Sequence, residues 1–188
     1  MVSANQLNGR ATGALFFTGF GALWLLLGLY VRGRLSAGTA VGVALIASGL
    51  GLSAFHLMRE ARRWPEKATD PARGKAFARI NTIQGMAAFG AAFVLGRMQL
   101  SAYIPAAVAA IVGLHLLPLA RLFRYRPHAG TGLALVLWSL GTCLFVPIER
   151  LQGVAALGAG VILWVSAAIT LALAFAKLRK APVPTVAA

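Results

Sequence analysis

Long uninterrupted apolar stretches dominate this chain, and short polar or basic segments separate them. Six stretches of 17–24 residues contain no charged residue: 12–31, 37–58, 80–96, 101–120, 131–148 and 153–176. A helix needs about 20 predominantly apolar residues to cross a bilayer. A charged side chain at mid-membrane costs about 2.5–3.5 kcal/mol on insertion scales. The pattern therefore predicts six transmembrane helices.

Strands do not fit these stretches, because they are apolar on every face, whereas membrane-spanning strands alternate apolar and polar residues. The expected fold class is therefore all-α: a polytopic integral membrane protein built as a six-helix bundle. One membrane domain would cover residues 1–188, with a basic loop at 59–79. The tail 181–188 contains Pro182 and Pro184, and we expect it to be disordered.

Composition supports a membrane protein and excludes several other classes. The chain is 59% hydrophobic and 12% charged, against about 45–50% and about 25% in ordinary soluble domains. A soluble enzyme and a disordered chain are both excluded by these values. Cys143 is the only cysteine, so an intramolecular disulfide framework is excluded as well.

The distribution of positive charge predicts the orientation in the membrane. With six spans, both termini and the loops after spans two and four share one side, which carries 14 of the 18 Lys and Arg residues. The remaining four are Arg32, Arg34, Arg97 and Arg150. Short basic loops stay in the cytoplasm. We therefore expect a bacterial inner-membrane protein with both termini in the cytoplasm.

The loop 59–79 is the longest connection between spans. Its Asp70-Pro71 pair predicts a helix start, with Asp70 as the N-cap and Pro71 as the first helical residue. Anionic lipid headgroups are the expected partners of its cations, which are Arg59, Arg62, Arg63, Arg73, Lys75 and Arg79. The orientation signal alone would also account for these cations. No nucleic-acid-binding module is recognisable, so we expect no nucleic-acid partner.

Four polar residues inside the predicted spans form the candidate site: His56, Asn81, Gln84 and His115. Each lies within about 9 Å of the nearest cytoplasmic cation along its helix. They could form hydrogen bonds between helices or line a small binding site open to the cytoplasm. A third hypothesis makes His56 and His115 axial ligands of a b-type haem. On the other side of the membrane, Arg97 and Glu149 could form an interfacial ion pair.

Small residues at four-residue spacing predict close helix packing, because helices in lipid approach one another most closely where side chains are small. Gly38 and Gly42 provide such a spacing on span two, and Ala156 and Gly160 provide one on span six.

These features do not identify an activity. No span contains Asp or Glu, and the chain has no zinc-protease motif and no phosphate-binding loop. We expect a non-catalytic bundle that packs with lipids, with partner subunits or with copies of itself, without a metal or cofactor. A carrier or facilitator for a small neutral or anionic solute is the alternative, and a haem-binding redox protein is the second alternative.

Overall fold

Six long α-helices make up most of the computed structural model, which describes residues 3–66 and 70–180. They are α1 (Ala4–Val31), α2 (Ala37–Ala61), α3 (Pro71–Arg97), α4 (Ile104–Leu122), α5 (Arg126–Phe145) and α6 (Ile148–Arg179). A 3₁₀ turn at Ser101–Tyr103 leads into α4. The described residues contain no strand, so the predicted all-helical class is confirmed for them. The tail 181–188 and Lys67 lie outside the described residues.

Five segments are long and apolar enough to cross a membrane: α1, α2, α5, α6 and Ser101–Leu122, which contains α4. Helix α3 is not among them. Its first half carries three cations, Arg73, Lys75 and Arg79, and its second half contains the polar residues Asn81 and Gln84 and ends at Arg97, so the helix is less apolar than the other five segments. The stretch 80–96, expected as the third span, is the second half of this helix.

Local side-chain and backbone bonds define the helix ends. The Asp70 carboxylate accepts a hydrogen bond from the Ala72 N–H at 2.9 Å, and Pro71 is the first helical residue. The predicted start of this helix is therefore confirmed. Helices α1, α3 and α4 are each followed by a turn that contains one residue in the left-handed conformation. These residues are Gly33, Gln99 and Arg124, with φ of 63°, 60° and 50°.

Glycines bring α1 and α6 into backbone contact. A Cβ atom added to Gly160 would lie 2.6 Å from Leu25 Cγ and 2.9 Å from the Gly21 carbonyl oxygen. Seven residues further along α1, a Cβ on Gly28 would lie 2.9 Å from the Leu157 backbone nitrogen. Because no side chain separates the two backbones at these positions, α1 and α6 form the central pair of the bundle.

Close contacts at glycines also join α4 to α5. A Cβ on Gly113 would lie 2.6 Å from the Gly132 carbonyl oxygen, and a Cβ on Gly132 would lie 2.5 Å from the Gly113 carbonyl oxygen. Tryptophans cover two further glycines: Trp164 packs on Gly21, and Trp138 of α5 packs on Gly158 of α6. These contacts close the centre of the bundle between the paired helices.

The prediction of close packing is confirmed for span six and wrong for span two. Ala156 and Gly160 are buried in α6. A Cβ on Gly42, by contrast, would meet nothing within 4 Å, and one on Gly38 would meet only Ser36 Oγ at 3.9 Å. The Gly38 and Gly42 face of α2 is therefore not used for packing within the chain.

Helices α2 and α3 lie on different flanks of the central helices. Helix α2 packs on α1 and α6, whereas α3 packs on α4 and the 3₁₀ turn before it. No residue of α3 is buried, and its Phe89 and Met86 side chains are 75% and 71% exposed. Both flanking helices therefore present broad apolar surfaces to their surroundings.

One end of the bundle gathers the positive charge. The Ala4 N–H at the start of α1 donates to the Pro65 carbonyl just after α2 at 3.1 Å. The Lys177 Nζ near the end of α6 lies 3.4 Å from Gln6 Oε1. Every described member of the set of 14 cations lies toward this end, here called the basic end, and Arg32, Arg34, Arg97 and Arg150 lie toward the other.

Candidate functional site

Two of the four polar residues selected from the sequence meet between α3 and α4. The His115 Nε2 and Asn81 Oδ1 atoms lie 3.0 Å apart, and both side chains are half-buried. The bond joins α3 to α4, and the tautomer of the histidine ring determines which atom donates.

The other two residues do not join this pair. Gln84 lies about one turn beyond Asn81 on α3, is half-buried, and takes no part in the bond. His56 is exposed on α2, where its ring stacks on Phe175 of α6 with the ring centroids 5.9 Å apart. Since α2 and α3 do not form a packed pair, the expected four-residue cluster is not assembled.

The haem hypothesis depends on the same two histidines. Axial ligands must face one another from neighbouring helices, but α2 and α4 do not form a packed pair. The Nε2 atom of His115 is also engaged by Asn81. In the part of the chain that the structure describes, no group of three or more His, Cys, Asp or Glu could hold a metal ion. The geometry therefore gives a haem site no support.

Three residues that the sequence reasoning did not select complete a polar cluster at the basic end. The His128 ring meets the Tyr125 ring edge to face at 4.9 Å and the Phe17 ring at 5.6 Å. The Arg10 guanidinium lies 5.1 Å from the centroid of the Tyr125 ring, and His115 lies within electrostatic range of His128. We call Arg10, Asn81, His115, Tyr125 and His128 the inner polar cluster.

The turn between α4 and α5 positions two members of this cluster. Arg124 adopts a left-handed conformation, and the Tyr125 N–H bonds back to the Ala120 carbonyl at 2.9 Å. Tyr125 is extended, with φ −123° and ψ 94°. Pro127 then lies in the first turn of α5, a position that proline favours. Pro127 was the sequence signal that a helix begins before His128. A helix that begins there places the histidine inside the bundle and not in a loop.

The inner polar cluster contains three buried atoms that have no hydrogen-bond partner: His115 Nδ1, Tyr125 OH and His128 Nδ1. Only one other such side-chain atom, Thr18 Oγ1, occurs in the described residues. Buried polar atoms in folded proteins are almost always paired with protein groups or ordered water. The cluster therefore has unused capacity to donate and accept hydrogen bonds.

Arg10 also has no acidic partner among the described residues. Within the described ranges 3–66 and 70–180, the one ion pair joins Arg63 to Glu60 at 3.2 Å. The pair expected between Arg97 and Glu149 is not formed, and both side chains are exposed. Exposed ionic groups at helix ends are fully hydrated, so a fixed pair would stabilise them little.

The cations expected to meet lipid headgroups, Arg59, Arg62, Arg63, Arg73, Lys75 and Arg79, are exposed. Arg59 lies in the last turn of α2, Arg62 and Arg63 follow this helix, and the other three lie in the first half of α3, all at the basic end. Their placement is compatible with an interfacial position, and Arg63 is also bonded to Glu60.

No protein-family model, curated protein or solved structure matches this chain. The geometry of the chain itself is therefore the basis for proposing a function.

Proposed function

We propose that this chain is a six-span integral protein of the bacterial cytoplasmic membrane, with both termini in the cytoplasm. In this proposal it works without catalysis, as a helical bundle that packs with lipids, partner subunits or further copies of itself. Helix α3 would be the additional span, because its 27 residues extend about 40 Å. Its antiparallel contact with α4 through Asn81 and His115 would carry the chain from one membrane face to the other.

The single observation that carries this proposal is the apolar surface of every helix. Representative exposed side chains, one for each helix in order, are Leu23 (62%), Leu45 (68%), Phe89 (75%), Leu114 (56%), Leu137 (58%) and Val161 (52%). Soluble monomers rarely expose apolar patches larger than a few hundred Å². A surface that is apolar all the way around is stable in hydrocarbon but not in water.

The closed centre of the bundle supports a packing role in place of a catalytic one. Gly21 and Gly160 allow backbone contact between α1 and α6, and Gly113 and Gly132 allow it between α4 and α5. Contacts this close leave no space for a substrate between those paired helices.

Cysteine labelling in intact cells tests the number of spans. In a Cys143→Ser background, single cysteines replace Gly33, Gln99 or Arg124, and a membrane-impermeant maleimide is added from outside. With six spans, the cysteines at 33 and 99 react and the one at 124 does not. If α3 stays in the cytoplasm, the cysteine at 99 is protected and the one at 124 reacts, which would overturn the proposal. The cysteine at 33 is the control, because it lies outside in both cases.

The packing role needs its own measurement. Light scattering of the purified chain in detergent gives the mass of the protein part of the complex. A dimer, a larger assembly or a co-purified subunit in a fixed ratio would support association through the apolar faces of α2 and α3. A monomer would leave lipid as the packing partner.

A second candidate function is the binding of a small polar solute at the inner polar cluster. The specific observation in its favour is the set of unpartnered atoms, His115 Nδ1, Tyr125 OH and His128 Nδ1. A cluster that served only to join helices would be expected to pair such atoms with one another. A solute held there would lie near the basic end, so a carrier would accept or release it on the cytoplasmic side.

A further inference from the structure

An open cavity of about 560 Å³ lies against the last turns of α6, at the basic end of the bundle. Its described lining consists of Ala172, Phe175, Ala176, Arg179 and Lys180. These positions recur at helical spacing, so they form one stripe along a single face of α6. The volume falls within the range of about 300–1,000 Å³ that is typical of small-molecule sites. The cavity is therefore large enough to hold part of a ligand, and none of its lining residues belongs to the inner polar cluster.

The lining changes from apolar to cationic along this stripe. Ala172, Phe175 and Ala176 are apolar, whereas Arg179 and Lys180 lie at the end of α6. At 1.5 Å per residue, the stripe extends about 12 Å along the helix axis. The headgroup region on each side of a bilayer is about 5–7 Å thick, so a stripe of this length reaches from the headgroups into the hydrocarbon. An occupant with a charged end and an apolar chain would match both parts.

The charge of the cavity favours an anionic occupant. Its described lining contains two cations and no carboxylate, and the single ion pair found within 3–66 and 70–180 lies elsewhere. Lys177, which precedes these cations on α6, directs its Nζ to Gln6 of α1 and does not line the cavity. Cations at the cytoplasmic side of membrane helices attract anionic lipid headgroups. A zwitterionic headgroup would be held less well, because its ammonium group would meet no carboxylate in this lining.

Helix α2 borders the cavity beside its apolar part. The His56 ring of α2 stacks on the Phe175 ring with the ring centroids 5.9 Å apart, and Phe175 lines the cavity. The stacking restricts the rotation of Phe175, so the apolar wall keeps its shape. His56 was selected from the sequence for a site inside the bundle, but here it supports the wall of a cavity on the outer surface.

We propose that this cavity binds one anionic phospholipid of the surrounding membrane. Arg179 and Lys180 donate hydrogen bonds to the phosphate oxygens, and their long side chains extend the charges to the level of the headgroups. An acyl chain lies along Ala172 and Ala176 beside Phe175. The exposed cations near α2 and α3 attract anionic lipid by charge alone, whereas this site also has a shape. The inference rests on the proposed packing with lipids and not on the number of spans.

Native mass spectrometry of the full chain in a neutral detergent tests the inference. Each bound lipid adds its own mass, so the number of bound molecules and their affinity are both measured. We expect one saturable phosphatidylglycerol and at least about tenfold weaker binding of phosphatidylcholine. Equal affinity for the two lipids, or no saturable binding, would overturn the proposal. Cysteine labelling measures the number of spans separately, so the two failures are distinguishable.

Filling the cavity distinguishes a shaped site from attraction by charge. Ala176→Phe places a ring in the apolar part and leaves the charge unchanged, so we expect at least about tenfold weaker binding of phosphatidylglycerol. Ala87→Phe is the matched control, because Ala87 is also an exposed alanine but lies on α3. The control should keep the affinity of the unmodified chain. Unchanged affinity in Ala176→Phe would reject the site.

Removing the two cations tests the other half of the site. The double variant Arg179→Gln with Lys180→Gln should bind phosphatidylglycerol at least about tenfold more weakly. The control, Arg121→Gln with Arg126→Gln, removes the same charge from exposed positions at the basic end. Its affinity should fall by no more than about threefold at physiological ionic strength, where distant charges are screened. Equal losses in the two double variants would show that net charge alone attracts the lipid, and they would contradict the proposal.

Three other occupants would each give a different result, and each result would overturn the proposal. Displacement of the lipid by glycerol phosphate, which has no acyl chain, would assign the cavity to a soluble anion. A smaller protein assembly in Ala176→Phe with unchanged lipid binding would assign it to a second copy of the chain. Lipid binding that requires deletion of residues 181–188 would assign it to that segment.

Discussion

Substituting one glycine by alanine should show how strongly the bundle depends on backbone contact between α4 and α5. In Gly132→Ala, the new Cβ would lie 2.5 Å from the Gly113 carbonyl oxygen and 3.2 Å from Leu116 Cβ. A carbon and a carbonyl oxygen ordinarily approach no closer than about 3.3 Å, so the two helices must separate by about 0.8 Å. The oxygen belongs to the backbone and has no rotamer by which to escape.

The expected cost follows from overpacking. Extra methyl groups in a well-packed interior cost about 1–3 kcal/mol, and the better helix propensity of alanine returns at most about 1 kcal/mol. Gly141→Ala is the matched control in the same helix, because its Cβ would meet nothing within 4 Å. We expect this control to be neutral or stabilising by up to about 1 kcal/mol. Because both variants gain the same helix propensity, their free energies of unfolding should differ by the overpacking cost alone, about 1–3 kcal/mol.

Reversible unfolding in mixed micelles with increasing sodium dodecyl sulfate measures this difference. Tryptophan fluorescence is a suitable signal, because Trp138 and Trp164 both lie in contacts between helices. The argument fails if Gly132→Ala unfolds with the same free energy as the unmodified chain. It fails equally if the control costs as much as the test variant, since the effect would then be one of helix propensity.

Three further experiments use the same unfolding assay. A double-mutant cycle of Asn81→Ala and His115→Ala should give a coupling of about 0.6–1.7 kcal/mol, the range of hydrogen bonds between membrane helices; zero coupling would mean that the pair is not formed. Gln99→Gly should stabilise the chain by about 1 kcal/mol because it relieves a left-handed residue at φ 60°, and destabilisation would contradict this. Trp164→Phe removes the donor to the Thr18 carbonyl and should cost about 0.5–1.5 kcal/mol; an unchanged value would argue against that bond.

The helices could be predicted from sequence because the exclusion of charge from hydrocarbon is local. Each apolar stretch marked a helix, and the Asp70 cap marked the start of α3. The helix ends were less accurate. Helix α1 begins at Ala4, eight residues before the stretch at 12–31. A search for uncharged residues ends the stretch at Arg10, whereas the helix extends past Arg10 toward the N-terminus. The long side chains of Lys and Arg can extend their charged ends to the membrane surface while the backbone remains helical.

The packing partners could not be predicted in the same way. Small residues are frequent in this chain, with 21 glycines, so a four-residue spacing alone does not indicate which face meets another helix. The glycines in the contact between α1 and α6 include two pairs at seven-residue spacing, Gly21 with Gly28 on α1 and Gly153 with Gly160 on α6. A seven-residue repeat keeps one face of a helix in contact over several turns, whereas one short motif such as Gly38 and Gly42 does not.

The candidate site was partly predictable for a similar reason. Distance along the helix places both His56 and His115 toward the basic end, but it does not specify the direction of a side chain around the helix. His56 faces outward beside Phe175, and His115 faces Asn81. His128 precedes the stretch at 131–148, so it was not among the polar residues inside the predicted spans.

The orientation signal explains the exposed cations of the basic end but not Arg10. A cation that only directs topology needs to remain on the cytoplasmic side, and it does so at lowest cost when it is hydrated. Arg10 is instead half-buried, packed over Tyr125 and without an acidic partner in the described chain. Burial of this kind costs free energy that topology does not require. The cation–π contact with Tyr125 offsets part of that cost. A polar solute held at the inner polar cluster, the second candidate function, would offset more of it, so this difference between Arg10 and the exposed cations favours that candidate.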